Sequence, residues 1–364
     1  MREILEESIQ RLLSDQVSPA LLRESEAPTW CGDLWSLIEE SGFPLALVSE
    51  TNGGADLRWA DVAGVAMATG FHVLPLPLVE GMLAAHLIDR AGLALPEGPL
   101  TVADSLCAQG LKLQAQAEGW CLSGRVSCVP WGRWSHFLVL DAPWEGQVHT
   151  VVVDVRGASF SHDLNLAREP RDAISLEGLP VVAAAPCEGL PTRHPVRLFG
   201  ALLRSAQMAG TMERLSQQSV QYATERVQFG KAIGKFQAIQ QQLAVLGCEA
   251  AATAAAALFA FEQADGPGAA MAVAAAKVRA SEAAGQVAAI AHATHGAIGF
   301  TYEHTLHFAS RRLWSWRSEL GHQAWWSDRL GAAVCASDVP FWHAVTAGEL
   351  AGLAEQLDER KETV

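Results

Sequence analysis

From residue 1 to about 92, apolar side chains fall at helical spacing. Leu5, Ile9, Leu12 and Leu13 recur every three or four positions, and Leu34, Leu37 and Ile38 repeat the theme. The cluster Ser49, Glu50, Thr51, Asn52, Gly53, Gly54, Ala55, Asp56 interrupts that pattern and predicts a turn. From about 100 to 185 the period shortens. Residues 120–127, 137–140 and 148–155 read as strands, separated by the turn signals Ala142-Pro143 and Glu145-Gly146. Past Pro195 the helical period returns, with Leu198, Leu202, Ala206, Ala209 and Met212 on one face of a helix reaching about Arg226. Phe229-Gly230 punctuates it, and a second long helix starts near Lys235-Phe236-Gln237. Gly266-Pro267-Gly268 ends that helix before a third at about Ala269. Helices, then a small antiparallel sheet or barrel, then an antiparallel helix bundle make an α+β layout. It divides into an N-terminal helical domain (1–99), a middle β domain (100–194) and a C-terminal helical bundle domain (195–364).

Composition removes several function classes. Half of the 364 residues are hydrophobic and 18% are charged, which excludes disorder for most of the chain. Forty acidic against twenty-six basic side chains leave a net charge of −14 with no basic patch, so nucleic acid and anionic membrane surfaces are excluded as partners. The seven cysteines, at 31, 107, 121, 128, 187, 248 and 335, form no CxxC pair and suggest neither a disulfide framework nor a thiolate zinc site. The acidic, amphipathic start is unlike a secretory or transit signal. The alanine-heavy, low-charge stretch at about 250–261 is too short to span a bilayer, and a cytoplasmic location without a membrane span is expected.

Several apparent motifs fail on inspection. Residues 230–236 mimic a phosphate loop, but one residue too few separates the glycines, and Lys235 is followed by Phe236 where a hydroxyl is needed. The pairs His292/His295 and His304/His307 lack the glutamate of a His-Glu-x-x-His helix. No Gly-x-Ser-x-Gly elbow occurs, so hydrolase chemistry lacks its nucleophile.

The informative run lies at 222–240. Arg226, at the end of a long helix, offers a planar donor fork that suits a pyrophosphate. Gly230 permits a tight reversal, and Gln228 and Gln237 carry amides able to bond phosphate or adenine. A plain helical hairpin, its terminal arginine complementing the helix dipole, satisfies the same residues. The spacing of Tyr222, Ala223, Arg226, Phe229, Gly230, Ile233 and Gln237 resembles that of the acyl-CoA dehydrogenase family, whose third domain carries Tyr-Ala-x-x-Arg-x-x-Phe-Gly-x-x-Ile-x-x-x-Gln. The turn Asn52-Gly53-Gly54-Ala55, the strand entry at 119–124 and the segment 295–304 resemble the same family in the same order.

The resemblance implies a three-domain fold ending in a four-helix bundle, and FAD-dependent α,β-dehydrogenation of acyl-CoA thioesters. In that chemistry a carboxylate removes the α-proton while the flavin accepts a hydride from the β-carbon. It also implies FAD sites shared between two subunits, a tetrameric assembly and electron-transfer flavoprotein as oxidant. Arg226, Gln228, Phe229, Gln237, Gly296 and Gly299 occupy the positions that contact a neighbour's cofactor, with Ala297 and Ala293 as departures from glycine and glutamine. The flavin-ring side is depleted: the Thr-Glu-Pro-x-x-Gly-Ser-Asp loop has no counterpart at 100–119. Cys128-Val129-Pro130 stand where the family has Trp/Phe-Ile-Thr. The family's base aligns with Leu320, and its alternative with Gly200. Glu319 is the remaining candidate base, but one helical step turns a side chain by roughly 100°. The pattern resembles the depleted subunit of heteromeric bacterial enzymes that act on bulky, steroid-type acyl-CoA side chains, paired with a homologous competent subunit as a heterotetramer. Two other readings stand beside it: a self-sufficient homo-oligomer using Glu319, and a non-enzymatic assembly module. Trp314, Trp316, Trp325 and Trp326 suit a subunit interface or an aromatic-lined acyl pocket.

Overall fold

The computed structural model describes residues 2–27, 29–117, 119–187, 189–347 and 352–358; the ends of the outer two domain ranges, at residue 1 and at 359–364, lie outside them. Five helices open the chain: α1 (Arg2–Gln16), α2 (Pro19–Glu24), α3 (Gly32–Glu40), α4 (Trp59–Phe71) and α5 (Leu78–Arg90). The apolar positions read at helical spacing become buried contacts: Ile9 and Leu13 of α1 pack with Leu34 and Ile38 of α3. Ser18 caps α2, accepting the Leu21 N–H, and Pro19 fills the first helical position.

Strands β1 (Leu100–Ala103), β2 (Ala108–Gln116), β3 (Gly119–Pro130), β4 (Phe137–Trp144), β5 (Gln147–Asp154), β6 (Phe160–Ser161), β7 (Arg171–Ser175) and β8 (Val181–Pro186) follow. They form two four-stranded sheets, ordered β1-β4-β5-β8 and β2-β3-β7-β6. Pairing is antiparallel except between β1 and β4, which run parallel with Leu100 opposite Phe137. A hairpin reading along the sequence does not anticipate that pair, because a loop, β2 and β3 intervene. Leu138, Leu140, Val151 and Val153 face the second sheet's Leu113, Leu122, Val126 and Ile174. Phe137, Val139 and Val152 turn the other way, into a core shared with the helices. The first sheet is therefore covered on both faces, which explains its near-continuous apolar runs.

The remaining chain is helical: α6 (Pro195–Glu225), the short hairpin β9 (Val227–Gln228) and β10 (Lys231–Ala232), α7 (Gln237–Gln263), α8 (Ala269–His295), α9 (Leu306–Trp316), α10 (Gln323–Ala336), α11 (Phe341–Ala347) and α12 (Leu353–Asp358). Helices α6 to α9 pack on one another as a bundle. Alanine faces bring α7 and α8 close, and α4 crosses α6 at paired glycines. A Cβ on Gly70 would sit 1.9 Å from the Gln207 carbonyl oxygen, and one on Gly210 would sit 2.0 Å from that of Met67. The low-charge stretch at 250–261 does not stand alone. It is part of the 27-residue α7, which is long and apolar enough to cross one by length and composition. In the fold α7 lies against α6 and α8, its Leu246, Ala257 and Phe261 buried among them.

Candidate cofactor half-site and a separate cavity

At one end of the bundle, α6 stops where Arg226 turns extended (φ −72°, ψ 114°), its N–H donating to the Tyr222 carbonyl. The Arg226 carbonyl then accepts the Ile233 N–H at 2.8 Å, closing the hairpin across Gln228 and Lys231. Phe229 (φ 49°) and Gly230 (φ 79°) form its two-residue turn, both in the left-handed region that such hairpins require. Glycine adopts that conformation freely; Phe229 does so with its ring 92% exposed. Gln237 opens α7 on the same exposed end.

The segment Gly296–Phe300 lies beside this hairpin because His295, at the end of α8, stacks on Tyr222 at 4.5 Å between ring centres. His292 stacks on Phe300 at 4.3 Å, and His304 meets the edge of His295. The histidine pairs are thus packing elements of this turn, and burial lowers the pKa of each below the ordinary value. Gly296 ends α8 at φ 63° with open space where a Cβ would point. Gly299 is needed for packing, since a Cβ there would meet Leu306 at 2.9 Å. Arg226, Gln228, Phe229, Gln237 and Gly296 are each exposed, while Gly299 is buried. A guanidinium, two amides and an uncovered glycine backbone suit a dinucleotide's phosphates and adenine approaching from outside this chain.

A cavity of about 1120 Å³ opens between α5, α6, the middle domain and the turn after α9. The two positions that align with the family's base meet there without a carboxylate. A Cβ on Gly200 would lie 2.8 Å from Leu320 Cδ1, so the leucine side chain already fills that point. Glu319 also lines the cavity, but its carboxylate is engaged. Arg171 Nε donates to it at 2.8 Å, Arg171 Nη2 at 3.0 Å, Arg204 Nε at 3.0 Å and Asn165 Nδ2 at 3.0 Å. Burial alone would raise this carboxyl; the two guanidiniums outweigh it and hold the pKa at about 2. A carboxylate so held is a poor proton acceptor near neutral pH.

The pairing continues in both directions. Arg204 reaches Glu80 of α5 at 2.7 Å, Arg171 reaches Glu169 at 3.1 Å, and Glu169 receives Arg312 of α9 at 3.0 Å. Trp316 Nε1 also donates to Glu169. Three arginines and three glutamates therefore join the N-terminal helices, the middle domain and the bundle through buried charge. Beneath the turn, fully buried Lys277 donates to the carbonyls of Gly321 (2.9 Å), Arg317 (3.0 Å) and Trp316 (3.4 Å) and to Ser281 Oγ. Burial lowers its pKa to about 7. Reading the sequence did not single out Glu80, Arg171, Arg204 or Lys277. The signal is a charge within an apolar run, as in Leu202-Leu203-Arg204 and Ala275-Ala276-Lys277.

On the middle-domain wall, Pro130 has no N–H, and its carbonyl accepts the Thr101 hydroxyl. Cys128 sits in a bulge at φ 59°. None of residues 128–130 carries a side-chain hydroxyl or amide, and Pro130 has no backbone N–H either, so this stretch of wall offers a flavin ring few donors. The tryptophans divide: Trp316 and Trp326 are core, whereas Trp325 lies in the cavity wall under Arg197 (4.6 Å) and Arg329 (3.8 Å), and Trp314 at its rim under Arg317 (4.0 Å). Trp131 and Trp134 pack against Trp30.

Residues 198–317 match the acyl-CoA dehydrogenase C-terminal domain. The acyl-CoA dehydrogenase IpdE2 of Mycobacterium tuberculosis is 29% identical over 317 residues, covering 85% of this chain and 90% of that one. The acyl-CoA dehydrogenase FadE34 of the same organism is 34% identical over 91% of this chain, which spans 43% of that longer protein. Among solved structures, the ChsE4-ChsE5 complex from Mycobacterium tuberculosis superposes with a TM-score of 0.85 at 20% identity, covering 93% of this chain and 98% of that one. A variant of the Tcur3481-Tcur3483 steroid ACAD gives 0.83 at 25% identity, covering 92% and 99%. Residues 198–317 are thus an acyl-CoA dehydrogenase C-terminal domain, and the chain as a whole, helices then sheets then helix bundle, has the acyl-CoA dehydrogenase fold.

Proposed function

We propose that this chain is a non-catalytic subunit of a heteromeric, FAD-dependent acyl-CoA dehydrogenase, and that it completes the FAD site of a homologous catalytic partner. One observation carries the reading: Arg226, Gln228, Phe229 and Gln237 are exposed at one end of the bundle, while in the chain's own cavity Leu320 lies against Gly200 and neither position carries a carboxylate. FAD held at such a site accepts the hydride in α,β-dehydrogenation of an acyl-CoA. This chain's part is to clamp the pyrophosphate with Arg226 and to position adenine with Gln228, Gln237 and the backbone at Gly296. Gly299 keeps the turn beneath them tight. Similarity to the ChsE4-ChsE5 complex and to a steroid ACAD supports a two-chain assembly acting on bulky, steroid-type acyl groups. Electron-transfer flavoprotein as the oxidant is inferred by analogy with the acyl-CoA dehydrogenase family. The long apolar α7, only partly buried in the single chain, and the exposed rings of Phe229 (92%), Phe300 (71%) and Tyr302 (60%) suit a protein partner at this end of the bundle.

Arg226→Ala in the assembled complex is expected to weaken FAD retention by about tenfold or more, with folding unchanged, because an exposed charge-assisted pair is lost at no cost to the core. Equilibrium dialysis of the complex against FAD-free buffer reads this directly. Undiminished retention contradicts the assignment of Arg226.

A further inference from the structure

We propose that the cavity is a receptor for an apolar molecule bearing a carboxylate, and that the Glu319 carboxylate is its tethered occupant. The donors around Glu319 are those that recognise a ligand carboxylate: two guanidiniums and a side-chain amide, giving four hydrogen bonds of 2.8–3.0 Å. They are held in place without Glu319. Arg171 is anchored by Glu169 and the Pro170 carbonyl, and Arg204 by Glu80 and Gln207. Both arginine side chains are almost wholly buried, at 6% and 4% exposure, so their geometry is preorganised.

The charges also point to an anion. Arg171, Arg204 and Arg312 are balanced by Glu80, Glu169 and Glu319, so withdrawing Glu319 leaves one uncompensated positive charge at the cavity wall. Glu319 itself comes from a turn rather than from a helix, followed by Leu320 at φ 56° and Gly321 at φ 91°. Away from Arg171 and Arg204, the cavity continues along Leu83, Leu106 and Leu203 and the rings of Trp314 and Trp325, which carry Arg317, Arg197 and Arg329 on their faces. An apolar ring system fills that part and places its carboxylate where Glu319 now lies.

This inference rests on the proposed function only in taking the cavity as free of flavin. The test therefore uses the full chain alone, after its absorption spectrum has shown no flavin; a bound flavin would count against the proposed function and not against the receptor. Calorimetric titration with 2-naphthylacetate and with its neutral amide is run on the wild-type chain and on Glu319→Ala. That substitution deletes the fragment the probe's acetate group restores. The acid is expected to bind Glu319→Ala about tenfold more tightly than the wild type, and the amide to show no such gain. Glu319→Ser, which empties the same space and keeps a small polar group, is expected to show the same preference and serves where the alanine variant fails to fold. Equal affinity of the acid for wild type and variants, no binding by either variant, or equal gain for the amide overturns the proposal.

Discussion

Replacing Arg204 with methionine is expected to lower the stability of the chain by about 3–5 kcal/mol, the range for removing one partner of a buried ion pair. The cost is not the loss of favourable pairs alone, since burying six charges is expensive to begin with. It is the desolvation of Glu80 and Glu319, which would keep their burial and lose their common counter-charge. The double variant Arg204→Met with Glu80→Leu is therefore expected to recover part of that loss, because one of the two orphaned carboxylates goes with it. Urea denaturation of the wild type, both single variants and the double variant reads the coupling. Strict additivity of the two single effects contradicts a shared network.

The second large effect is on acid stability. The Glu319 carboxyl has an ordinary value of 4.5 and is held at about 2 in the fold by Arg171 and Arg204, against the opposing effect of burial. A depressed carboxyl contributes stability that is fully present above 4.5 and is lost as pH falls towards 2. At about 1.4 kcal/mol for each unit, the contribution is on the order of 3 kcal/mol. Thermal midpoints of the wild type are expected to fall steeply between about pH 4.5 and pH 3, whereas Glu319→Gln starts lower at neutral pH and changes less over that interval. Parallel curves for the two proteins contradict the assignment of Glu319 to a structural carboxylate.

What the sequence made legible, and what it hid, divides along chain separation. Gly266-Pro267-Gly268 marks a break that local chemistry enforces, and α7 and α8 end and begin on either side of it. The motif from Tyr222 to Gln237 is likewise contiguous, and its turn at Phe229-Gly230 depends only on neighbouring residues. The parallel pairing of β1 with β4 is invisible locally, since the two strands are joined by more than thirty residues containing other strands. The ion network is hidden for the same reason: Arg204 meets partners 124 and 115 positions away. Glu319 is the case where sequence position misleads most. Its place next to the aligned base suggests proton transfer. Its environment, which depends on Arg171 and Arg204 from two other elements, makes it an ion-pair partner instead. Lys277 shows the converse, a lone charge in an alanine run whose three carbonyl acceptors lie about forty residues further on.

On the function proposed above, this chain holds no flavin of its own and completes a partner's. The most direct test is the visible absorption spectrum of the purified full chain, alone and co-expressed with an adjacent dehydrogenase-like chain. No flavin bands are expected from the chain alone, and one FAD for each pair of chains is expected in the complex. Stoichiometric FAD bound to the chain alone would contradict the proposed function.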